Sequence, residues 1–384
     1  MKKILAMLLA LIMVFSLVAC GGNHEQPEDM GTIIWLSNLT SGAQYDATNA
    51  YLTALCNALG YDFQVVFGDM MNDAATNLQY VQQAMTDDVV GMIASQDGGL
   101  KDIMDAYPNL WVAGYNCDMR SVYAADGLNA AVLNNDHYLG TIADGYSNGM
   151  DLGAVLARQT IDLGYKKVAI VNFPPFAYPN LTEAVIGYTA AIEEYNKTAS
   201  KPIEIVGEVT TLMFSPLEDS WFLEEGRSDL DAIIGMCAGV QFIYPTLSTA
   251  IANGTCSADT KLITSGFETD PDIIADIGGD GVITSLTVSA AENPAYALIL
   301  IDNAITGNVA AGTSNECVDS AEYTIDSVED INNVMTKTMM GTGDVANAHL
   351  TVDEVVAMCG RNNPKMTWEE IVAVFHGISV DELK

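Results

Sequence analysis

The chain has 384 residues, of which 49% are hydrophobic, so it can bury a substantial core and is not disordered. Its 50 acidic residues far outnumber its 15 basic ones, and the formal net charge is −35. Such a surface repels nucleic acid and anionic lipid, and it favours a neutral or cationic small ligand over an anionic one.

The first thirty residues are typical of an export signal followed by a tether. Two lysines precede an apolar run from Ile4 to Val18, which is too short for a permanent membrane span. The run ends in Leu17-Val18-Ala19-Cys20, which looks like a bacterial lipobox. We therefore expect a lipoprotein signal peptide over 1–20, lipidation of Cys20 and a flexible tether over 21–30. The alternative is a plain signal peptide with an incidental cysteine.

From Gly31 onward, short β-rich runs alternate with longer helical patterns, which predicts parallel sheets covered on both faces. In the first half the predicted strands are Thr32–Leu39, Phe63–Gly68, Val89–Ala94 and Trp111–Tyr115. The predicted helices between them are Tyr45–Leu59, Ala74–Met85 and Leu100–Ala106. Ala130–Leu133 is predicted as a short strand or crossover, and His137–Leu163 as one long helix.

The same alternation then restarts, which predicts a second doubly wound unit. Its predicted strands are Lys167–Asn172, Ile203–Val209, Ala232–Cys237, Leu262–Gly266 and Val282–Val288. Its predicted helices are Thr182–Tyr195, Phe242–Ala252, Asp272–Ile277 and Pro294–Thr306. A last strand is predicted at Glu322–Ile325, and capping-box patterns at Ser327, Thr351 and Thr367 then indicate a small helical extension over 327–384.

Several motifs resemble catalytic or metal sites but lack the setting that such sites need. Gly145-Tyr146-Ser147-Asn148-Gly149 matches a nucleophile elbow, but it lies in or beside a predicted helix without an oxyanion loop. The G-x-G-x-x-A run at Gly341–Ala346 does not follow a strand. The histidines and cysteines lack zinc spacing. We therefore expect no enzyme, no metal and no cofactor. A disulfide is compatible with export, with Cys317 and Cys359 as one candidate pair.

Short segments along the chain resemble the type I periplasmic binding proteins, the ribose/galactose-binding and LacI-effector superfamily. They are Thr32-Ile33-Ile34-Trp35, Leu59-Gly60-Tyr61-Asp62, Asn77-x-x-x-Val81-Gln82, Gly91-Met92-Ile93-Ala94 with Gln96-Asp97, Asn135-Asp136, Gly187-Tyr188 and Gly266-Phe267-Glu268. The resemblance covers about residues 31–307. Val282-Ile283-Thr284-Ser285 is also similar to the nucleoside-binding basic membrane lipoproteins, which share this fold.

The resemblance implies an α/β fold with two doubly wound parallel-sheet lobes joined by a three-crossing hinge. It assigns 31–130 plus 286–316 to the N-terminal lobe and 131–285 plus 317–326 to the C-terminal lobe. It implies a monomer, lipid-anchored to the outer face of the bacterial cytoplasmic membrane. Such a protein captures a monosaccharide or related polyol for the permease of an ABC transporter. A nucleoside ligand and a ligand-sensing receptor are the alternatives.

Residues carried over from the family predict a ligand site between the lobes. They are Ser41, Gln44, Tyr45, Gln96, Asp97, Asn116, Asp118, Asp136, Phe173, Phe176 and Glu268. Carboxylates and amides suit hydroxyl groups, and aromatic faces suit a ring. The competing interpretation is that Tyr45 or Phe176 is core and that Asp97 or Asp118 caps a helix.

The second lobe departs from the ribose-type site at three positions. Ala184, Ala238 and Ala290 stand where the sugar binders have arginine, asparagine and glutamine. Either the ligand differs, or neighbours such as Glu292 or Tyr178 supply the missing polar groups.

Overall fold

A computed structural model describes residues 29–115, 119–124, 127–143, 149–176, 178–320 and 322–383 of the chain. Two sheets of parallel strands, each covered by helices, account for most of it. The predicted α/β fold with two doubly wound units is therefore confirmed.

The first sheet has six strands, all parallel to their neighbours, in the order β12-β5-β4-β3-β1-β2. They are β1 (Thr32–Ser37), β2 (Asp62–Phe67), β3 (Val89–Ala94), β4 (Trp111–Tyr115), β5 (Tyr138–Ala143) and β12 (Cys317–Asp319). The inner strands are buried on both faces, which is why they read as continuous apolar runs in the sequence.

The second sheet has the order β13-β11-β10-β9-β6-β7, with β8 also paired to β6. Its strands are β6 (Lys167–Asn172), β7 (Glu204–Ile205), β8 (Thr210–Thr211), β9 (Ala232–Gly235), β10 (Lys261–Ser265), β11 (Ile283–Ser289) and β13 (Glu322–Ile325). β13 alone runs antiparallel, against β11. The strand predicted over 203–209 is reduced to the two residues of β7, and β8 lies just beyond the predicted range.

The helices that cover these sheets fall close to their predicted positions. They are α1 (Ala43–Leu59), α2 (Ala74–Ala84), α3 (Leu100–Ala106), α4 (Arg120–Tyr123), α5 (Gly149–Asp162), α6 (Pro179–Asn196), α7 (Gly239–Phe242), α8 (Tyr244–Asn253), α9 (Pro271–Ala275) and α10 (Pro294–Ile305). Short 3₁₀ helices lie at Ala130–Asn134 and Asp219–Leu223. The end of α1 follows from Gly60, whose φ of 84° is left-handed and closes the helix with bonds to Asn57 and Cys56 carbonyls.

Two predictions around residue 140 are wrong. Ala130–Leu133 belongs to a 3₁₀ helix, and the predicted helix over 137–163 is strand β5 followed by helix α5. A strand buried on both faces has no period-2 pattern, so its apolar run merged with that of the helix behind it.

The chain passes between the sheets three times, which matches the predicted three-crossing hinge. The crossings lie between Ala143 and Gly149, between Ser289 and Pro294, and between Asp319 and Glu322. β5 and β12 belong to the first sheet, and β11 belongs to the second. The first lobe therefore includes the segments 138–143 and 317–319 and excludes 286–289, which corrects the boundaries expected from sequence.

The helical extension is present and begins where its capping patterns predict. Its helices are α11 (Val328–Lys337), α12 (Met339–Thr342), α13 (Val352–Met358) and α14 (Trp368–Phe375), with 3₁₀ turns at Val345–Asn347 and Val380–Leu383. The hydroxyls of Ser327, Thr351 and Thr367 accept backbone N–H bonds, and the last two sit in complete capping boxes. The extension packs against α1 and α10 of the first lobe.

The cysteines of the described chain are mostly buried thiols. Burial raises the pKa of Cys237 to about 12, and the same cause raises the pKa of Cys56 further, so neither thiol is reactive. The buried Cys359 thiol donates to the Val355 carbonyl at 3.5 Å, so the suggested Cys317–Cys359 disulfide is wrong. No helix within the described ranges has the length and apolarity needed to cross a membrane.

Candidate functional site

The two lobes meet along the edges where their parallel strands end. Gln44, at the start of α1, donates its amide N–H to the carbonyl of Ser289 at the end of β11, at 3.2 Å. A Cβ placed on Gly42 would lie 3.8 Å from Glu268 Oε1, just beyond β10. Ligands of doubly wound sheets bind beyond the carboxyl ends of strands, so this interlobe cleft is the candidate site.

An ion pair also spans the cleft. Arg120 Nη2, in α4 of the first lobe, lies 2.5 Å from Glu183 Oε1, in α6 of the second. The side chains are 46% and 25% exposed, so solvent screens the pair and its stabilisation is modest. Because the partners come from different lobes, the pair exists only when the lobes are close together.

The first lobe presents a layer of aromatic rings at its strand ends. Tyr45 stacks on the buried Trp35, with centroids 5.8 Å apart and an interplanar angle of 17°. Phe67, which ends β2 and is 46% exposed, lies 5.8 Å from Tyr45. Burial, and secondarily the charge of Asp46, raises the pKa of Tyr45, so its hydroxyl stays protonated. Tyr45 is half-buried. Its stacking therefore supports a role at the cleft surface as well as a role in the core.

Gln96 and Asp97 hold loops together on the first lobe. Asp97 accepts from Asn72 Nδ2 at 2.7 Å and from the Ser121 backbone N–H at 2.9 Å. Gln96 donates to the Asp69 carbonyl at 2.8 Å. Both are about 94% buried. The Asp97 carboxylate is thus occupied by the protein itself, which favours a scaffolding role over direct ligand contact.

The second lobe carries its own aromatic cluster. Phe173 lies 5.1 Å from both Phe214 and Phe242 and 5.7 Å from Tyr178, measured between centroids. Phe173 is 93% buried, whereas the neighbouring Phe176 is 60% exposed. Phe176 is therefore not core, and Phe173 forms the floor on which Tyr178 and Phe214 sit.

Backbone strain concentrates at this edge of the molecule. The non-glycine residues with positive φ in the described chain are Asn72 (53°), Met119 (49°) and Phe214 (57°). They follow β2, β4 and β8, all at strand ends that face the cleft. Such conformations cost roughly 1–3 kcal/mol each and tend to persist where they shape a functional site.

Glu268 is the carboxylate most available to a ligand among the described site residues. It is partly exposed, and its Oε1 accepts from Gln241 Nε2 at 3.1 Å. Gln241 Oε1 is buried and has no hydrogen-bond partner among the described residues. A ligand hydroxyl or amine could satisfy these oxygens.

The structure corrects one predicted site residue. Asp136 lies just before β5, at the amino end of the strand, where the His137 carbonyl accepts from Val112 at the start of β4. That edge is opposite to the cleft, because the crossing follows β5 and does not precede it. Ser41 is exposed in the turn before α1. Asn116, Asp118 and Cys20 lie outside the described residues.

The three alanine departures leave the second lobe apolar at those positions. Ala184 is fully buried where α6 crosses Gly153 of α5, and Ala290 is fully buried at the second crossing. Glu292 does not replace the missing groups in the cleft, because it is buried and its Oε1 accepts from the His349 backbone N–H of the extension at 2.9 Å. Tyr178 lies beside Phe214 at the strand ends and stays a candidate.

Sequence reasoning missed several residues that shape the cleft. Phe214 lies beyond a two-residue strand that carries no period, and Gln241 lies in a one-turn helix. The partners Arg120 and Glu183 are 63 positions apart. The one usable signal was Arg120 itself, a rare cation five residues beyond the end of a predicted strand.

Three alternatives set out from the sequence concern a metal site, a nucleophile elbow and a dinucleotide site. The described chain contains no cluster of three or more His, Cys, Asp or Glu side chains placed to hold a metal ion. Ser147 of the elbow-like motif lies outside the described residues. The G-x-G-x-x-A run follows helix α11 and begins within α12, so it lacks the strand-to-helix setting of a dinucleotide site.

Solved structures share this architecture across most of the chain. A periplasmic sugar-binding protein from Pseudomonas fluorescens superposes with a TM-score of 0.65 at 10% identity, over 92% of this chain and 99% of its own. An ABC transporter solute-binding protein from Burkholderia graminis, solved with D-arabinose, gives 0.59 at 16% identity, over 82% and 99%. A transcriptional regulator of the LacI family from Burkholderia phymatum gives 0.54 at 14% identity, over 77% and 99%.

The fold is therefore that of the type I periplasmic binding proteins, as the sequence segments predicted. Identities of this size establish architecture and leave the ligand to be argued from the site. No family model matches the sequence, and a search of curated proteins found no match.

Proposed function

We propose that this chain is an extracytoplasmic solute-binding lipoprotein. It captures a monosaccharide or related polyol between its lobes and presents the closed form to the permease of an ABC transporter. The observation that carries the proposal is the set of contacts across the cleft, where Gln44 meets Ser289 and Arg120 meets Glu183. The closed form reports that ligand is bound when the ligand contacts both lobes and stabilises that form.

The chemistry of the cleft supports a neutral or cationic polar ligand. Glu268 and Gln241 offer acceptor oxygens, and the guanidinium of Arg120 is engaged with Glu183. Tyr45 and Phe67 on one lobe, and Phe214 on the other, offer faces for a sugar ring. The Burkholderia graminis protein, which shares this fold, was solved with D-arabinose, and this supports a pentose as one ligand to test.

A nucleoside is the second candidate ligand. The aromatic rings on both lobes favour a flat base, and the three alanines remove polar groups that a bare pentose would use. A ligand-sensing receptor would use the same cleft, and the shared fold of the LacI-family regulator is compatible with such a role.

A thermal-shift screen of the protein lacking residues 1–20 tests these proposals. The panel contains D-arabinose, other pentoses and hexoses, their polyols, nucleosides and amino acids. A ligand present at 100 times its Kd adds about 2.7 kcal/mol to the folded state, which gives a visible rise in Tm. Glu268→Gln is the matched control, since its shift should shrink while its ligand-free Tm stays unchanged. No rise with any sugar or polyol would overturn the sugar proposal, and a rise with nucleosides alone would establish the second candidate.

Lipid anchoring through Cys20 and handover to a permease are proposed from the sequence pattern. Replacing Cys20 with serine should release the protein from the membrane fraction of the producing cell. Retention of the Cys20→Ser variant in that fraction would contradict the anchor.

A further inference from the structure

The helical extension touches both lobes, although most of it lies on the first. On the first lobe, Tyr51 of α1 donates its hydroxyl to the Leu350 carbonyl, and Trp368 Nε1 donates to Tyr296 of α10 at 2.8 Å. On the second lobe, the turn at Ser327 packs so closely on Gly278 that a Cβ there would lie 2.6 Å from backbone. The last turn, Val380–Leu383, contacts β13. The extension therefore spans the hinge.

The extension also binds the hinge itself. Glu292 lies in the second crossing, three residues beyond the end of β11 and two before α10. Its side chain is 99% buried, and its Oε1 accepts the backbone N–H of His349 at 2.9 Å. Rotation about this crossing must move Glu292 relative to one lobe, and the bond to His349 resists that movement.

The other carboxyl oxygen of Glu292 is in an unusual position. Glu292 Oε2 is buried and has no hydrogen-bond partner among the described residues, and the same is true of the Tyr323 hydroxyl. The titratable groups that face Glu292 are Tyr51 of α1 and Tyr323 of β13. Burial raises the pKa of both hydroxyls, and the charge of Glu292 raises them further. From the extension, His349 also lies beside Glu292. Burial lowers the pKa of His349, and the charges of Glu382 and Glu354 oppose that change. Burial raises the pKa of Glu292 to about 7.

We propose that residues 327–383 form a hinge brace, and that protonation of Glu292 determines how readily the braced cleft opens. The inference rests on the proposed function only in requiring that the lobes open and close. A protonated Glu292 is neutral, so its burial away from water costs little free energy. An ionised Glu292 keeps one oxygen buried without a partner, which is costly unless water reaches it. Rotation at the crossing would admit that water, so ionisation favours the open form.

Small-angle X-ray scattering of the ligand-free protein, recorded at about pH 6 and about pH 8.5, tests the brace. This range brackets the Glu292 transition, and burial lowers the pKa of His349, which reduces its share of the charge change over the same range. We expect the wild-type radius of gyration to be larger at the higher pH. Glu292→Gln, which is isosteric and neutral, should stay compact at both. Glu369→Gln removes one exposed charge from the same extension and should behave like the wild type.

Tyr51→Phe tests the brace without changing the ionisation of Glu292. It is the variant to use if Glu292→Gln folds poorly. It removes one hydroxyl that ties the extension to α1, so the radius of gyration of the variant should exceed that of the wild type at about pH 6. The proposal is overturned if the wild type shows no pH dependence, if Glu292→Gln shows the same dependence as the wild type, or if Tyr51→Phe stays as compact as the wild type. No ligand is present, so these outcomes leave the ligand screen unaffected.

Discussion

Arg120 of the first lobe and Glu183 of the second form an ion pair across the cleft, with 2.5 Å between Nη2 and Oε1. Each residue lies on the first turns of a helix that follows a strand end, α4 after β4 and α6 after β6. The pair therefore joins strand-end helices of the two lobes and reports directly on their separation.

Neutralising this pair should weaken ligand binding slightly and in a salt-dependent way. Glu183→Gln removes the attraction and keeps the shape, and a partly exposed pair is worth about 0–1 kcal/mol. We expect Kd for the ligand found in the screen to rise by up to about fivefold at low salt and by less at high salt. Isothermal titration at both salt concentrations measures this effect. A rise that is equally large at high salt would show that Glu183 touches the ligand itself.

Substitution of Asp97 should lower the stability of the fold, whereas substitution of Glu268 should weaken ligand binding. Asp97→Ala removes acceptors used by Asn72 and by the Ser121 N–H, and should lower the free energy of unfolding by about 2–4 kcal/mol. Glu268→Gln should leave that free energy unchanged and raise Kd about tenfold or more. Urea denaturation and titration calorimetry measure the two quantities, with the exposed Asp87→Ala as the control. Unchanged stability of Asp97→Ala would return that carboxylate to the ligand site.

The ion pair between Arg361 of the extension and Asp302 of the first lobe should contribute strongly to the stability of the fold. Asp302 is fully buried in α10 and pairs with Arg361 of the extension, while Tyr61 donates its hydroxyl to the same carboxylate at 3.0 Å. Desolvation raises the pKa of Asp302 and Arg361 opposes that rise. Arg361→Ala would leave a buried charge with one partner fewer, at a cost of about 3–5 kcal/mol. Urea denaturation should show this loss, whereas Arg158→Ala, at an exposed position, should change little.

Stability should also depend on pH through Glu292. Its pKa is about 7 in the folded chain against 4.5 in the unfolded chain, so the folded chain holds the proton more tightly. Its contribution is therefore undiminished below about pH 4.5, falls as pH rises to about 7, and stays low above that. Glu292→Gln should abolish this fall, which amounts to about 3 kcal/mol at most. Urea midpoints measured from about pH 5 to pH 8 would contradict this if the two proteins followed parallel curves.

Much of the fold could be predicted because most strands are bounded by turns and most helices by caps. Gly60 ended α1 as expected, and Thr351 and Thr367 began their helices as expected. The failure was local. β5 and α5 are both apolar, with only a short polar stretch between them, so periodicity could not divide them. Because the crossing was then placed too early, Asp136 was assigned to the wrong edge of the sheet.

The site was harder to predict because its contacts join residues that no local pattern links. Tyr45, Phe173 and Glu268 do follow strands β1, β6 and β10, and their contact with a ligand stays a prediction. Asp97 follows a strand too, yet its carboxylate is taken up by Asn72, whose left-handed backbone could not be foreseen. Whether a polar side chain at a strand end faces ligand or neighbour depends on loops whose shape only the folded chain defines.

Only two residues, Ser320 and Ala321, separate β12 of the first sheet from β13 of the second. The Cα atoms of Asp319 and Glu322, which bound this link, are at most about 11 Å apart even when the chain is fully extended, so the lobes cannot slide far apart at this side. The lobes can therefore move relative to each other only by rotation, and this link lies at the hinge axis. Strands β2 and β7, at the far ends of the two sheets, then travel furthest. If the lobes bind a solute as we propose, that solute would enter and leave the cleft beside Phe67 of β2, at the end furthest from the braced hinge.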